Sequence, residues 1–277
     1  MIQVITDSTS GITQDEAKTL GITVLPINID FDNEIFYDGV NLTSKQFWEK
    51  LTASNTLPAT LQPNALEYIE RFESAKNNGE SLLVITPSSN MSGIYNSAKL
   101  YCDEVEHGEL AVIDSQNISY SLRLVVLEAI KNREKMALGE LVDHLNKFKL
   151  HIRSFATMDN LDALLKSERL EGNANLPKCV LNIKPIITMQ NGNLCYVDKK
   201  VGTKNAIDYI ITQMKADKIS SDYPISIQYT RNSAKCDYPA ETLKQLFSEK
   251  TIQTSAIPYL LCPYLGDNAT VITYVIK

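Results

Sequence analysis

The residues best suited to chemistry lie in the run 81–98, SLLVITPSSNMSGIYNSA. Leu82, Leu83, Val84 and Ile85 form a short continuous apolar run, the pattern of a strand buried on both faces. Pro87, Ser88, Ser89, Asn90, Ser92 and Gly93 follow, a loop dense in small hydroxyl residues. Ile94, Tyr95, Ala98 and Tyr101 then recur at helical spacing. Strand, polar loop and helix in this order place a helix N-terminus at the carboxyl end of a strand. Free backbone N–H groups and the positive end of the helix dipole favour an anion there. On this reading Gly93 admits a ligand close to the backbone and Ser92 donates its hydroxyl. The alternative is that Ser92 only caps the helix. The loop points to an anion without naming it.

Other chemistry finds less support. His107, His144 and His151 have no metal-ligand partner at useful spacing, and the first two read as surface residues of a turn and a helix. No GxGxxG, GxxxxGK[ST] or GxSxG occurs. The serines of the loop have no His or Lys placed by sequence to activate them as nucleophiles. Asp7 and Asp114 sit where strands end, as ligand groups or equally as turn and capping residues. Hydroxyls and a helix N-terminus without acid–base partners suit the holding of a carboxylate, with apolar side chains taking the rest of the ligand.

The elements that must position these groups alternate. Residues 2–6 form a first strand ending at Asp7-Ser8-Thr9-Ser10, and a helix over 15–20 stops at Gly21. Residues 22–29 read as a second strand with Pro26 marking an edge or a break. Residues 31–39 read as a turn-rich excursion. Thr43 and Gln46 make a capping box before Phe47. Pro58 and Pro63 put Thr60 in a stiff extended loop, after which Asn64, with Glu67, caps a helix whose apolar face is Leu66, Ile69 and Phe72. A strand over 110–113 ends at Asp114-Ser115 and precedes a long helix through Leu122, Val125, Val126, Ala129 and Ile130. Strand–helix alternation of this kind predicts a parallel sheet. Polar clusters at three strand ends, Asp7-Ser8, Ser88-Ser89-Ser92 and Asp114-Ser115, mark the side where open α/β sheets bind ligands.

The second half mixes helices with hairpins. An amphipathic helix is expected over 158–170, a strand over 182–189 holding Lys184-Pro185, and a tight turn at Asn191-Gly192. Helices over 206–214 and around 243–247, and strands over 225–229 and 270–276, complete an α+β pattern. The expected domains are 1–155 and 156–277.

A chain of 277 residues accommodates one large or two smaller domains. A net charge of -6 with no basic stripe argues against a nucleic-acid partner. Cys102, Cys179, Cys195, Cys236 and Cys262 are scattered singly, which reads as reduced thiols in a cytoplasmic protein. The N-terminus lacks the features of a signal peptide, and no apolar run suffices for membrane insertion. No cofactor and no metal are expected.

Four stretches then carry a family likeness: Thr6-Asp7-Ser8-Thr9-Ser10; Thr60-Leu61-Gln62-Pro63; Ser88 to Tyr95 with Ser97-Ala98; and Ile113-Asp114-Ser115. Further on, Leu164-Leu165-Lys166-Ser167-Glu168-Arg169 and Ile183-Lys184-Pro185-Ile186 fall in the same order. With these residues the chain resembles the DegV family of fatty-acid-binding proteins, the acyl-carrier subunits of bacterial fatty acid kinase. The resemblance implies a two-domain α/β fold, a parallel-sheet N-terminal domain burying an acyl chain and an α+β domain closing over the head group. It implies a fatty acid held by its carboxylate on Thr60 and Ser92, with Ser89, Gly93 and Tyr264 around it. It also implies presentation to a fatty acid kinase that docks on Arg169, the carrier itself catalysing nothing. This sequence departs from the family pattern at Leu61, where a serine is usual. It departs again at Tyr264, where a histidine is usual, at Ser167 and Glu168 in place of glycines, and near Lys200-Val201-Gly202, where a second arginine is missing. Two rival readings stand beside it. One is a lipid sensor or store without a kinase, and the other an enzyme acting on a small anionic substrate in an interdomain cleft, with Asp7, Asp114 or Tyr264 as its acid or base.

Overall fold

The computed structural model describes residues 1–54, 57–105, 108–171 and 182–277. His107 and Cys179, read above as a surface histidine and a reduced thiol, lie outside them. The chain divides into two compact units, Met1–Lys149 and Leu150–Lys277. The division falls ahead of the expected 155 because the strand Ile152–Thr157 pairs along both edges with strands of the second unit. Cutting it would leave its backbone donors and acceptors unpaired.

In the first unit the chain runs through β1 (Gln3–Asp7), α1 (Gln14–Leu20), β2 (Thr23–Leu25), β3 (Asn28–Phe31) and β4 (Glu34–Tyr37). It continues through α2 (Ser44–Ala53), β5 (Ala59–Leu61), α3 (Ala65–Asn78), β6 (Leu82–Thr86) and α4 (Ile94–Val105). The last elements are β7 (Leu110–Asp114), α5 (Tyr120–Asn132) and α6 (Leu138–Phe148). Four strands make a parallel sheet in the order β2-β1-β6-β7. All of β6 is buried, as its unbroken apolar run requires. At the sheet's edge β7 buries only Ile113 fully.

The residues 22–29 form two strands, not one. Pro26 supplies no amide to the ladder, and the chain leaves the parallel sheet there. It enters a three-stranded antiparallel sheet in the order β4-β3-β5. Asp32 and Asn33, both with positive φ (52° and 70°), close the β3–β4 hairpin. The supposed turn-rich stretch is therefore mostly strand. Phe47 on α2 is wholly buried and meets the Phe31 ring edge-on at 5.5 Å. Thr43 and Gln46 form the expected capping box, and Gly21 ends α1 in the left-handed conformation. Asn64 caps α3 by accepting from the Leu66 amide. The buried face of that helix is Tyr68, Phe72 and Ala75, which includes Phe72 as expected, whereas Leu66 is exposed.

The second unit holds β8 (Ile152–Thr157), α7 (Asp162–Lys166), β9 (Leu170–Glu171), β10 (Ile183–Gln190), β11 (Asn193–Val201) and α8 (Thr203–Ala216). After these come β12 (Ile225–Tyr229), α9 (Asp237–Leu246), β13 (Ile252–Ala256), α10 (Cys262–Leu265) and β14 (Thr270–Val275). One mixed sheet runs β13-β12-β14-β8-β10-β11-β9. Asn191-Gly192, both at positive φ, turns β10 into β11 as expected. The helix expected over 158–170 shrinks to α7, because Glu168 takes a positive φ of 56° and the chain turns into β9. The chain thus has an α/β fold with a parallel sheet in its N-terminal region.

Candidate anion site at the carboxyl end of the first sheet

The three polar clusters that follow β1, β6 and β7 are tied to one another by hydrogen bonds. Thr6 Oγ1 donates to the Ile85 carbonyl at 2.8 Å, and Thr86 Oγ1 to the Ile113 carbonyl at 3.2 Å. The Ser88 amide donates to the Asn117 carbonyl at 2.9 Å, and the Ser119 amide to the Thr9 carbonyl at 3.0 Å. The Ile27 amide donates to Ser8 Oγ at 3.0 Å, which anchors the chain where it leaves β2. These bonds give buried donors and acceptors at this end protein partners, as burial requires.

Asp114 is one of the knots. Its Oδ2 accepts from Ser89 Oγ at 2.6 Å, while Oδ1 accepts from the amides of Ser89 (3.2 Å) and Gln116 (2.8 Å). Ser89, expected around the ligand carboxylate, therefore spends its one hydroxyl proton on Asp114. Lys149, which no sequence motif marks, donates to the Asp114 carbonyl at 2.7 Å. Burial pulls its ammonium below the usual lysine range, against the opposing pull of Asp114.

Two hydroxyls stand apart from this web. Thr60 Oγ1 makes no hydrogen bond among the described residues. Ser92 Oγ accepts a long bond from the Ile94 amide at 3.4 Å and donates to nothing there. Thr60 is the central residue of β5, opposite Ile29 of β3, which in turn lies opposite Phe36 of β4. Residues directly opposite share a face, so the Thr60 hydroxyl stands beside apolar neighbours on a strand, not in a free loop. Ser92 closes the loop ahead of α4, its own amide bonded to the Ser88 carbonyl at 3.1 Å.

Gln62, part of the Thr60-Leu61-Gln62-Pro63 stretch but given no role by it, ties these two segments together. It follows Thr60 by two residues, and its Oε1 accepts from Ser97 Oγ on α4 at 2.7 Å. Its carbonyl accepts from Asn28 Nδ2 at 3.3 Å. A Cβ on Gly93 would fall 2.6 Å from Gln62 Nε2. The room over Gly93, expected to admit a ligand, thus holds the protein's own glutamine side chain. Gly93→Ala is expected to push Gln62 aside and break its bond to Ser97. The cost is about 1 kcal/mol, the net worth of one such bond. A urea-unfolding midpoint equal to wild type would show that this clamp holds nothing.

Asp7, the last residue of β1, is almost wholly buried. Its Oδ1 accepts from the Thr9 amide at 2.9 Å and from Thr9 Oγ1. Its Oδ2 is buried with no hydrogen-bond partner among the described residues. Burial pushes its pKa up to about 6, Thr9 opposing and Asp38 adding.

In the second unit, two residues singled out separately by sequence meet. The Arg169 guanidinium lies over the Tyr264 ring, 4.6 Å from its centroid. Lys184 pairs with Asp159 Oδ1 at 2.5 Å, and Asn268 Nδ2 donates to Asp159 Oδ2 at 2.8 Å. Burial pushes the Asp159 carboxyl up, but the bonds from Lys184 and Asn268 outweigh it and hold the carboxyl below its usual range. Asp159, missed by sequence, joins the lysine-proline stretch to the stretch following Tyr264. His144 is not a plain surface residue: its Nε2 lies 2.7 Å from the buried Glu128 carboxylate. The thiols of Cys102, Cys195, Cys236 and Cys262 are all pushed up, mainly by burial, so none is primed as a thiolate. Among the described residues no cluster suits a metal ion, and no helix is long and apolar enough to cross a membrane.

A parallel sheet with hydroxyl-rich loops at its carboxyl end defines an α/β protein, and comparison gives its family. A family model described as an uncharacterised protein of the DegV family matches residues 1–277. A DegV domain-containing protein of Caldanaerobacter subterraneus subsp. tengcongensis is 34% identical over 215 residues, covering 77% of this chain and 76% of its own. The chain belongs to the DegV family. The crystal structure of a fatty acid binding DegV family protein from Streptococcus agalactiae superposes with a TM-score of 0.89 at 23% identity, covering 100% of this chain and 99% of that one. A DegV family protein from Eubacterium eligens loaded with heptadecanoic acid gives 0.83 at 21% identity, covering 100% of both chains.

Proposed function

We propose that this protein binds a long-chain fatty acid, its carboxylate held by Thr60 and Ser92, and presents it to a fatty acid kinase for phosphorylation. The observation that carries the reading is the pair of hydroxyl protons left without an acceptor among the described residues. They sit on two segments that Gln62 clamps together. Each O–H is a donor of the kind a carboxylate recruits, and charge-assisted bonds of this type are among the stronger ones. The apolar neighbours of Thr60 suit an acyl chain better than a small polar substrate. The fatty acids named for the Streptococcus agalactiae and Eubacterium eligens proteins support the same ligand class.

On this reading the protein is a carrier, and phosphoryl chemistry belongs to the kinase. Asp114 is occupied by Ser89 and Gln116, which speaks against a general base at the loop. Arg169, backed by the Tyr264 ring, is the residue offered for kinase docking. Binding of a fatty acid against its methyl ester, with a displaced fluorescent acyl probe, tests the head-group assignment. The acid is expected to displace the probe and the ester to fail. Equal displacement would contradict the role of the two hydroxyls. Adding a fatty acid kinase and ATP then separates the carrier from a lipid store: acyl phosphate forms only in the first case.

A further inference from the structure

The unpaired oxygen of Asp7 lies at the same end of the sheet as the proposed carboxylate site. In the β1–β2 register Asp7 stands opposite Leu25. Continuing the β1–β6 register from Ile5 and Val84 by two residues brings it level with Thr86, whose strand leads into the Ser88–Ser92 loop. Two other titratable groups face it, both nearly wholly buried: the Asp38 carboxyl after β4 and the Tyr68 phenol on α3. Thr9 supplies only neutral donors, both to Oδ1. Among the described residues no cation is paired with Asp7. A buried, ionised carboxylate with one bare oxygen is costly, and a second negative charge nearby makes it costlier. A bound ligand carboxylate is such a charge.

We propose that Asp7 is a positioning residue of the lipid site, and that binding of a ligand carboxylate at Thr60 and Ser92 is coupled to uptake of one proton from solvent on Asp7 Oδ2. The ionised carboxylate of Asp7 becomes the neutral acid, the repulsion disappears, and the new O–H gives the bare oxygen a donor to spend. This rests on the fatty-acid reading above. Its consequence is a proton-linked affinity. Since the free carboxyl already titrates higher than an ordinary aspartate, with a pKa of about 6, uptake is greatest above that pH and fades below it. Affinity therefore rises as pH falls toward 6 and levels off below.

The test is calorimetric titration of the full chain with sodium oleate at pH 6, 7 and 8, in phosphate and in Tris, whose ionisation heats differ. Wild type is expected to take up between about half and one proton per ligand at pH 8 and to weaken up to about tenfold per pH unit above 7. Asp7→Asn keeps a carbonyl for the Thr9 bonds and puts a neutral donor in place of Oδ2. It is expected to bind with neither the proton uptake nor that pH slope. The oleate's own titration is common to both proteins and cancels in the comparison. Asp38→Asn removes the neighbouring charge, lowers the Asp7 pKa, and moves the levelling-off to lower pH, so it serves as a second test should Asp7→Asn not fold. Oleate binding by wild type with no buffer-dependent heat, or an equal pH slope in wild type and Asp7→Asn, overturns the proposal alone. Absence of oleate binding by wild type at every pH overturns the fatty-acid reading and this proposal with it.

Discussion

Replacing Thr60 and Ser92 together by alanine is expected to weaken fatty acid binding at least about a hundredfold while leaving the fold intact. Hydrogen bonds to a charged group are worth about 1.5–3 kcal/mol each, and each 1.4 kcal/mol is a factor of about ten in affinity. Two hydroxyls on one carboxylate act as a unit, so the double change will not equal the product of the singles. The fold should survive because the protein scarcely uses either group. Thr60 Oγ1 has no partner among the described residues, and Ser92 Oγ accepts only the long bond from Ile94. Titration with a fluorescent fatty acid, alongside circular dichroism, checks both halves. A double variant that binds like wild type would remove these residues from the site. Ser89→Ala makes the contrast, since its hydroxyl serves Asp114 and its loss acts on the loop.

Phe47→Ala carries the largest expected cost in stability. Phe47 is fully buried beneath the small antiparallel sheet, with the Phe31 ring at 5.5 Å and the Trp48 ring at 5.8 Å, both edge-on. Truncating a buried phenylalanine costs about 3–5 kcal/mol, from lost transfer energy and the cavity left behind. A domain of ordinary stability has about 5–15 kcal/mol to lose, so a marked fall in the urea midpoint is expected. The effect reaches function because β3, above Phe47, holds β5 and so the Thr60 backbone. Fatty acid binding should weaken even at temperatures where the variant is folded. A stability loss under about 1 kcal/mol would mean the site relaxes around the gap, and the small sheet does not depend on this ring.

The parts of this structure legible in the sequence are those written in local patterns. The unbroken run Leu82–Ile85 announces the central strand, the hydroxyl-rich loop and Ile94 announce the helix behind it, and Thr43 with Gln46 or Asn191 with Gly192 state a cap and a turn outright. The small sheet was not legible, because β5 is three residues long and its pairing with β3 is written nowhere near it. Pro63 and Pro58 made the extended backbone of Thr60 predictable, but not its partner Ile29. Within the site, residue type named the hydroxyls without ranking them. Ser89 and Ser92 look alike in sequence, and only the position of Asp114 commits one and leaves the other with a proton to give. Gln62 is an exposed glutamine with no periodic signal, so nothing in the sequence announces that its side chain lies over Gly93. The meeting of Arg169 with Tyr264, and of Lys184 with Asn268 through Asp159, depends on tertiary folding that spacing does not encode.

The central claim is that this chain carries a fatty acid, and native mass spectrometry of the protein purified from a bacterial host tests it most directly. The expected spectrum shows added mass near one fatty acid per chain, which denaturing extraction identifies as a long-chain acid and which the Thr60→Ala, Ser92→Ala protein lacks. A bare chain that also takes up no added fatty acid would contradict the claim, and would assign the two free hydroxyls to a different anion.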